Sequence, residues 1–436
     1  MESAAEIFAI LDIFILSRAL LGHCKRLRRT LALLWQITIC AGRNRRHASP
    51  RKYSGTTFRR GSSVSHLFLA TGDLAMDRDD YDESFVATRD ALCAADIAFG
   101  QLETSFAERG VRLPQARHAV LARPDGAAAL GRAGFDCISM AGNHCMDWGA
   151  EAFFETRANL EAEGIRIAGA GGNIAEARKP ALFTLGDGTR IAVLAYSSIL
   201  PHSYWADERR PGCAPMRAFT VYEQIEHDQP GTPARIHTYP HREDLAVLED
   251  DIRKAKTNAD LVFVSLHWGI HFVRAEIADY QRDVARAAIA AGADAILGGH
   301  AHILKGCEVI DGKPVFYSLS NFATDLRMDE AHAASKSWNE IRVLAEEWEP
   351  DFEGLYNFPV ASRLGMVARI EIEQGKMIRA GFHPLHIDRD AVPRFAAADS
   401  EEFAQTIDYM RAVTEEAGLN ATYKVAGDIV EIEGVA

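Results

Sequence analysis

From residue 66 onward, short apolar runs alternate with stretches that carry apolar residues at helical spacing. The apolar runs predict buried strands, because they are too short for buried helices and are bounded by Gly, Asn or Asp. The predicted strands are 66–71, 96–102, 135–140, 165–168, 181–185, 190–196, 261–266 and 294–297. The predicted helices lie near 83–94, 124–133, 149–163, 241–256 and 277–291. This alternation indicates an α/β domain.

Turn residues between paired apolar runs predict three hairpins. Their turns are Gly186-Asp187-Gly188, Asp311-Gly312 and Gln374-Gly375-Lys376. Two further segments, 199–240 and 325–360, show little periodicity. We expect a long loop and an irregular region there, and loops of that length are usually functional or disordered.

The N-terminal segment differs from the rest of the chain in charge. Residues 1–66 hold 12 Lys/Arg and 3 Asp/Glu, a net charge of +9, whereas the remainder carries −22. Two apolar runs, 7–21 and 31–41, fall short of the roughly 20 apolar residues of a spanning helix. We predict that residues 1–65 are a basic, disordered extension, with a membrane anchor or targeting sequence as the alternative. Residues 66–390 would form the main domain, and 391–436 a C-terminal extension that packs on it.

Composition excludes several classes of protein. Hydrophobic residues make up 48% and charged residues 25%, as in ordinary globular proteins. The net charge of −13 argues against nucleic-acid binding. The seven cysteines contain no C-x-x-C pair, which argues against a disulfide framework and a zinc ribbon. A reducing, cytoplasmic location fits best, with membrane association only through residues 1–65.

Side chains that can bind metals follow five of the predicted strands. A buried strand has no packing reason to end repeatedly in Asp, Glu or His, and sites in α/β sheets form at the carboxyl ends of strands. We therefore predict a metal or polar catalytic site at this edge. Its residues are Asp73, Glu103, Asn143, His144, His267, His300 and His302.

The oxygen and nitrogen atoms of this set suit Mn, Fe, Zn or Mg better than a thiolate zinc site does. A carboxylate between two ions with His on both sides is typical of a two-metal hydrolase. His144 is then available to protonate a leaving group. The alternative is that His144 caps the following helix or packs in a loop. Cys145 is interpreted as a small loop residue rather than a nucleophile.

The motifs that carry these residues occur in the order found in one known family. They are Thr71-Gly72-Asp73, Gln101-Leu102-Glu103, Ala141-Gly142-Asn143-His144, His267-Trp268-Gly269, Gly299-His300-Ala301-His302 and Tyr317-Ser318-Leu319-Ser320-Asn321-Phe322. Over about residues 66–388 the chain resembles the CapA family, the capsule or poly-gamma-glutamate synthesis proteins, a branch of the calcineurin-like metallophosphoesterases. The resemblance implies a four-layer α/β/β/α sandwich built on two central sheets.

The resemblance also implies roles for the matching residues. It implies one or two divalent ions (Mn, Fe, Zn, Mg or Ca), held by Asp73 and His302 on one side, Glu103 between, and Asn143, His267 and His300 on the other. His144 would be the general acid or a hydrogen-bond donor to the transition state, and Asp147 is placed by chain proximity to orient it.

Two departures from the family pattern bear on the site. The phosphoesterases usually have Asp-x-His on the first strand, but Asp73-Leu74-Ala75 lacks the His, as the CapA pattern usually does. The first ion is therefore short of a ligand. In addition, the family's Glu four residues after His267 is His271 here, which puts substrate preference or metal choice in question.

The resemblance implies a metal-dependent hydrolase-like protein linked to capsule or poly-gamma-glutamate synthesis or processing. Its partner would be an anionic polymer or a small phosphate or carboxylate substrate. Two alternatives remain open: a generic metallophosphoesterase acting on a small phosphate ester, and a non-catalytic scaffold of a polymer export complex.

Overall fold

The computed structural model describes residues 65–345 and 348–435, so the predicted extension 1–65 lies, except for Ser65, outside the described residues. The strands are β1 (His66–Ala75), β2 (Ile97–Leu102), β3 (Ser105–Phe106), β4 (Leu121–Ala122), β5 (Cys137–Ser139), β6 (Arg166–Ala168), β7 (Ala170–Gly171), β8 (Ala181–Thr184), β9 (Arg190–Ser197), β10 (Gly212–Cys213), β11 (Ala218–Glu223), β12 (Arg235–Pro240), β13 (Leu261–His267), β14 (Ala295–Gly299), β15 (Cys307–Ile310), β16 (Lys313–Phe316), β17 (Asn321–Thr324), β18 (Leu364–Glu373), β19 (Lys376–Ile387), β20 (Pro393–Phe395), β21 (Tyr423–Ala426) and β22 (Ile429–Ile432).

The helices are α1 (Arg89–Ala94), α2 (Asp125–Ala133), α3 (Gly149–Ala162), α4 (Ile174–Ala177), α5 (Arg242–Lys256), α6 (Asp279–Ala291), α7 (Glu330–Ala333), α8 (Lys336–Ile341) and α9 (Glu401–Glu416). Short 3-10 helices cover Tyr81–Phe85, Arg342–Leu344 and Val360–Arg363. Helices α2 and α6 end at Gly134 and Gly292, whose φ angles of 100° and 114° let the chain leave the helix in the left-handed conformation.

Two mixed sheets form the centre of the domain. The first has the strand order β21-β22-β19-β18-β1-β2-β5-β6, with β17 beside β1 and β20 beside β19. The second has the order β15-β16-β14-β13-β9-β8. In each sheet the central strands are parallel, namely β1, β2, β5 and β6 in the first and β9, β13, β14 and β16 in the second. Their carboxyl ends therefore gather at one edge of each sheet.

The sheets pack face to face between layers of helices. The ring of Phe68 on β1 lies 4.6 Å from that of Phe263 on β13, and both sheets contribute to one core cluster. Helices α5 and α6 pack with Val264 on the opposite face of the second sheet. The second sheet covers the inner face of the first sheet. The crossover helices α2 and α3, which contribute Leu130 and Phe153 to the core, therefore cover the outer face of the first sheet. The predicted four-layer α/β/β/α sandwich is confirmed.

Two segments differ from the sequence prediction. The segment 199–240, predicted to be a long loop, contains β10 and an antiparallel hairpin of β11 and β12 that packs against α6. This hairpin leaves Phe219 and Tyr222 exposed, so it lacks the buried alternation by which strands are identified in a sequence. The predicted irregular region 325–360 contains the short helices α7 and α8.

The C-terminal residues continue the fold. Ser400 caps helix α9, because its hydroxyl accepts a hydrogen bond from the Phe403 amide. The helix packs against β19, β18 and β15. Strands β21 and β22 then extend the first sheet beyond β19. None of the helices within residues 65–345 and 348–435 combines the length and apolar character needed to cross a bilayer.

Candidate metal centre

The residues that follow the parallel strands of both sheets meet between the sheet edges. Asp73 lies near the end of β1, where the pairing with β17 shifts register. Its amide donates to the Ser320 carbonyl over 3.1 Å. A Cβ at Gly72 would lie 2.0 Å from that same carbonyl oxygen, so only glycine permits this close approach. Glycine at 72 thus lets the β1 backbone pack closely against the segment that carries Ser320.

The loop after β14 carries two histidines in an uncommon backbone conformation. His300 and His302 have φ angles of 84° and 53°, in the left-handed region. Such positions cost on the order of 1–3 kcal/mol each and persist where the surroundings hold them. The His300 amide donates to Asp73 Oδ2 over 3.0 Å, and the Phe272 amide donates to the Ala301 carbonyl over 3.0 Å. These bonds tie the loop to β1 and to the loop after β13.

We call Asn143, Glu103, His267 and His300 the His267 cluster. Nε2 of His267 lies 2.6 Å from Asn143 Oδ1 and 2.9 Å from Glu103 Oε1. One ligand atom each from Glu103, His267 and His300 lie within 4.8 Å of one another. Three of these residues are buried and Asn143 is half-buried. Four donor atoms of the types that bind divalent ions therefore converge here.

We call Asp73, Glu103 and His302 the Asp73 cluster. Their ligand atoms also lie within 4.8 Å of one another, and His302 Nε2 is 3.7 Å from Glu103 Oε2. His302 Nδ1 lies 2.7 Å from Asn321 Oδ1, and the Asn321 amide group donates to the Tyr356 hydroxyl over 2.8 Å. An Nδ1–H donated to Asn321 leaves Nε2 as the ligand nitrogen, the arrangement that orients metal-binding histidines.

Burial and mutual repulsion make both clusters suited to cations. Burial and the neighbouring Glu103 charge raise the pKa of Asp73 well above its ordinary value. Burial alone would raise the pKa of Glu103 too, but the imidazoles of His302 and His267 lower it. Asp73 Oδ1 and the Nδ1 atoms of His267 and His300 are buried without a hydrogen-bond partner among the described residues. Unpartnered buried polar atoms are costly, and a bound ion would offset much of that cost. The residues thus fit one or two divalent ions.

His144 stands beside the clusters with a partner of its own. Its Nδ1 lies 2.7 Å from Asp147 Oδ2, and the Tyr204 hydroxyl donates to Asp147 Oδ1 over 2.6 Å. Burial lowers the pKa of His144, but the hydrogen bond to Asp147, the Asp147 charge and the Glu103 charge raise it overall. With Nδ1 held by Asp147, Nε2 is the atom available to exchange a proton.

Two cavities touch the clusters, and one more shares lining residues with both of them. One of about 490 Å³ is lined by Asn143, His144, His300 and Arg117, among others. A second, of about 480 Å³, extends away from the clusters and is lined by cationic groups and by two aspartates. Its charged residues are Arg112, Arg117, Arg327, Asp77 and Asp325. Because Asp325 is paired with the buried Arg78, the arginines give the lining of this cavity a positive charge. The third is small, about 110 Å³, and lies against Glu103 and His302.

The structure thus brings the predicted ligands and His144 to one place and gives Asp147 the contact to His144. Sequence reasoning missed Tyr204, which supports Asp147, and Asn321, which orients His302. Asn321 belongs to the motif Ser318-Leu319-Ser320-Asn321-Phe322, so its position in a motif was a signal. Tyr204 lies in the predicted long loop and carried no comparable signal. His118, which lines all three cavities and lies 2.7 Å from His332, was also missed.

The chain is similar to several known proteins. The chain is 30% identical over 191 residues to "PGA biosynthesis protein CapA" of Bacillus subtilis, a match that covers 44% of this chain and 43% of that protein. It is 26% identical over 320 residues to a "Probable polyglutamine synthesis accessory protein" of Mycobacterium tuberculosis, covering 72% of each. The chain thus matches less than half the length of the Bacillus relative.

Among solved structures, the calcineurin-like phosphoesterase YfkN from Bacillus subtilis aligns with 81% of this chain and 99% of that chain, with 14% identity and a TM-score of 0.37. The family described as "Bacterial capsule synthesis protein PGA_cap" matches residues 67–326, which is more than half of the chain and includes every residue of both clusters. The chain therefore belongs to the bacterial capsule synthesis protein family PGA_cap.

Proposed function

We propose that this protein is a metal-dependent hydrolase that acts on an anionic substrate during capsule or poly-gamma-glutamate synthesis or processing. The observation that carries the proposal is the pair of buried clusters that share Glu103, with the His144–Asp147 pair beside them. Buried polar groups without partners are retained where they have a use, and here they converge on one point.

The chain's residues divide the chemistry among them. Asp73, Glu103 and His302 would hold one ion, and Asn143, Glu103, His267 and His300 the other. When bound, two divalent ions supply charge stabilisation at the attacking and leaving oxygens of a displacement.

His144 gives its Nε2 proton to the leaving group, while Asp147 holds Nδ1 and keeps the ring in place. Tyr204 in turn holds Asp147 through its hydroxyl. The arginine-lined cavity shares His118 with both cavities that touch the clusters. It supports an anionic substrate, since guanidinium groups pair well with carboxylates and phosphates. The capsule link rests on family membership and on the names of the relatives.

The test uses the full-length protein, with metal content measured by elemental analysis. We expect Mn²⁺-dependent turnover of a chromogenic phosphodiester or shortening of poly-gamma-glutamate, and loss of either in Glu103→Gln. A Glu161→Gln variant on the exposed face of α3 serves as the control. Polymer binding without turnover in the metal-loaded protein would contradict the hydrolase and indicate a scaffold.

A further inference from the structure

The Asp73 cluster has fewer unshared ligand residues than the His267 cluster. Glu103 is shared, so the His267 cluster has three residues of its own and the Asp73 cluster has two. Ala75 occupies the first-strand position where the phosphoesterases have a histidine. The small cavity of about 110 Å³ lies at this point, between Ala75, Glu103 and His302.

His271 faces the same cavity from the loop after β13. Its ring centroid lies 5.1 Å from that of His302 and 3.9 Å from that of His300. Its Nε2 is buried and has no hydrogen-bond partner among the described residues. An imidazole ring that packs beside two ligand histidines and has a buried nitrogen without a partner is a candidate ligand.

The backbone around His271 is fixed to the ligand loop. Phe272 has a φ of 57°, and its amide bonds to Ala301 between the two ligand histidines. The Phe272 ring also packs against His302, with centroids 5.7 Å apart. Residue 271 is therefore held at a constant place relative to His300 and His302, as a ligand must be.

We infer that His271 supplies the Asp73 cluster with the imidazole ligand that the first strand lacks. The inference rests on the proposed metal-dependent function. With His271 the Asp73 cluster has three residues of its own, two imidazoles and one carboxylate, besides the shared Glu103. Imidazole in place of carboxylate shifts a site toward Zn²⁺, Fe²⁺ or Co²⁺ and away from Mg²⁺ or Ca²⁺.

The experiment measures metal binding, independently of turnover. Full-length protein is stripped with a chelator and titrated with Zn²⁺ by equilibrium dialysis, and Co²⁺ absorption reports the ligand field. We expect two Zn²⁺ per wild-type chain. Changing a residue that only supports a metal ligand typically costs 10–100-fold in metal affinity. His271→Ala removes a direct ligand, so it should lower the affinity for the more weakly bound ion by about 100-fold or more. His271→Glu should keep two sites but favour Mn²⁺ over Zn²⁺ relative to wild type.

Two further variants guard against a general loss of folding. His386→Ala removes a half-buried histidine of β19 away from the site and should leave both ions in place. Adding Ala75→His to His271→Ala puts an imidazole at the first-strand position and should restore the second ion.

Two wild-type ions that persist with unchanged affinity in His271→Ala, or a wild-type chain that takes up only one ion, would overturn this inference alone. A wild-type chain that binds no ion would overturn the proposed metal centre with it.

Discussion

The Asp73 cluster and the His267 cluster share Glu103 but are built differently. The His267 cluster gathers two imidazoles, at the end of β13 and directly after the neighbouring strand β14 of one sheet, and an amide that follows β5 of the other sheet. The Asp73 cluster joins β1 of the first sheet to the loop after β14 of the second, and it adjoins the gap at Ala75. Both clusters join the two sheets, but His267 and His300 come from neighbouring strands of one sheet, which fixes their spacing directly. Asp73 and His302 come from different sheets, so their spacing depends on how the sheets pack. We therefore expect the His267 cluster to bind its ion more tightly.

The largest effect should come from the residue that both clusters share. Glu103→Gln keeps the size of the side chain but removes the charge opposite His267 and His302. We expect the purified variant to retain less than one ion per chain and to have no measurable turnover. Elemental analysis checks this, with Glu161→Gln as the control. Two retained ions would mean that Glu103 does not lie between them.

The second-largest effect should be the loss of a different metal ion in each of two variants. His267→Ala/His300→Ala should lose the tighter ion, and Asp73→Asn only the weaker one. After dialysis against a weak chelator, the double variant, which keeps only the weaker site, should retain less metal than Asp73→Asn, which keeps the tighter one. Equal metal content in the wild type and the double variant would refute the cluster assignment, and equal losses in the two variants would refute the difference in affinity.

His144 distinguishes catalysis from metal binding. His144→Ala should retain wild-type metal content, because His144 belongs to neither cluster, yet lose about 10²–10⁴-fold in turnover, the usual contribution of a general acid. Turnover per folded molecule, metal content and melting temperature are measured together. If turnover follows only the folded fraction, His144 is a structural residue.

A smaller effect is expected at Tyr204, which holds Asp147, the hydrogen-bond partner of His144. Tyr204→Phe removes only the hydroxyl that donates to Asp147. A hydrogen bond to a charged group contributes about 1.5–3 kcal/mol, so we expect a comparable loss of unfolding free energy and about a tenfold loss of turnover. The metal content of both clusters should not change. Tyr239→Phe, on the exposed hairpin, is the matched control, and equal effects in both variants would contradict a role for Tyr204.

The smallest effect concerns His118, which lines the cavities but belongs to neither cluster. Burial, with the neighbouring His332, lowers the pKa of His118 to about 4. The unfolded state has the ordinary histidine pKa of about 6.5 and so binds more protons between these values. The contribution of neutral His118 to stability is complete above pH 6.5 and is lost as the pH falls toward 4. In denaturant unfolding, the free energy of unfolding should fall less over this pH range in His118→Gln than in the wild type. An equal fall in both proteins would contradict the lowered pKa of His118.

Much of this arrangement could be predicted from sequence because it depends on local pattern. Strand ends such as Asp73 and His267 stood out, since a polar residue after a short apolar run is a local signal. Tyr204 could not be predicted, because its partner Asp147 is distant in the chain and only the folded chain brings them together. The β11–β12 hairpin was missed for a different reason: it packs on a helix outside both sheets, so its strands show no buried alternation.

The β18 strand has a practical consequence for work with fragments of this protein. The family match ends at residue 326, but β18 pairs along β1 from His66↔Ile372 to Ala70↔Ala368. A fragment cut at the family boundary would turn this half of β1 into a bare edge with unsatisfied amides and carbonyls. Such edges promote intermolecular strand pairing, so the fragment would aggregate on expression. It would also lack Tyr356, the residue that supports Asn321 behind His302. Expression work should therefore keep the chain through β22.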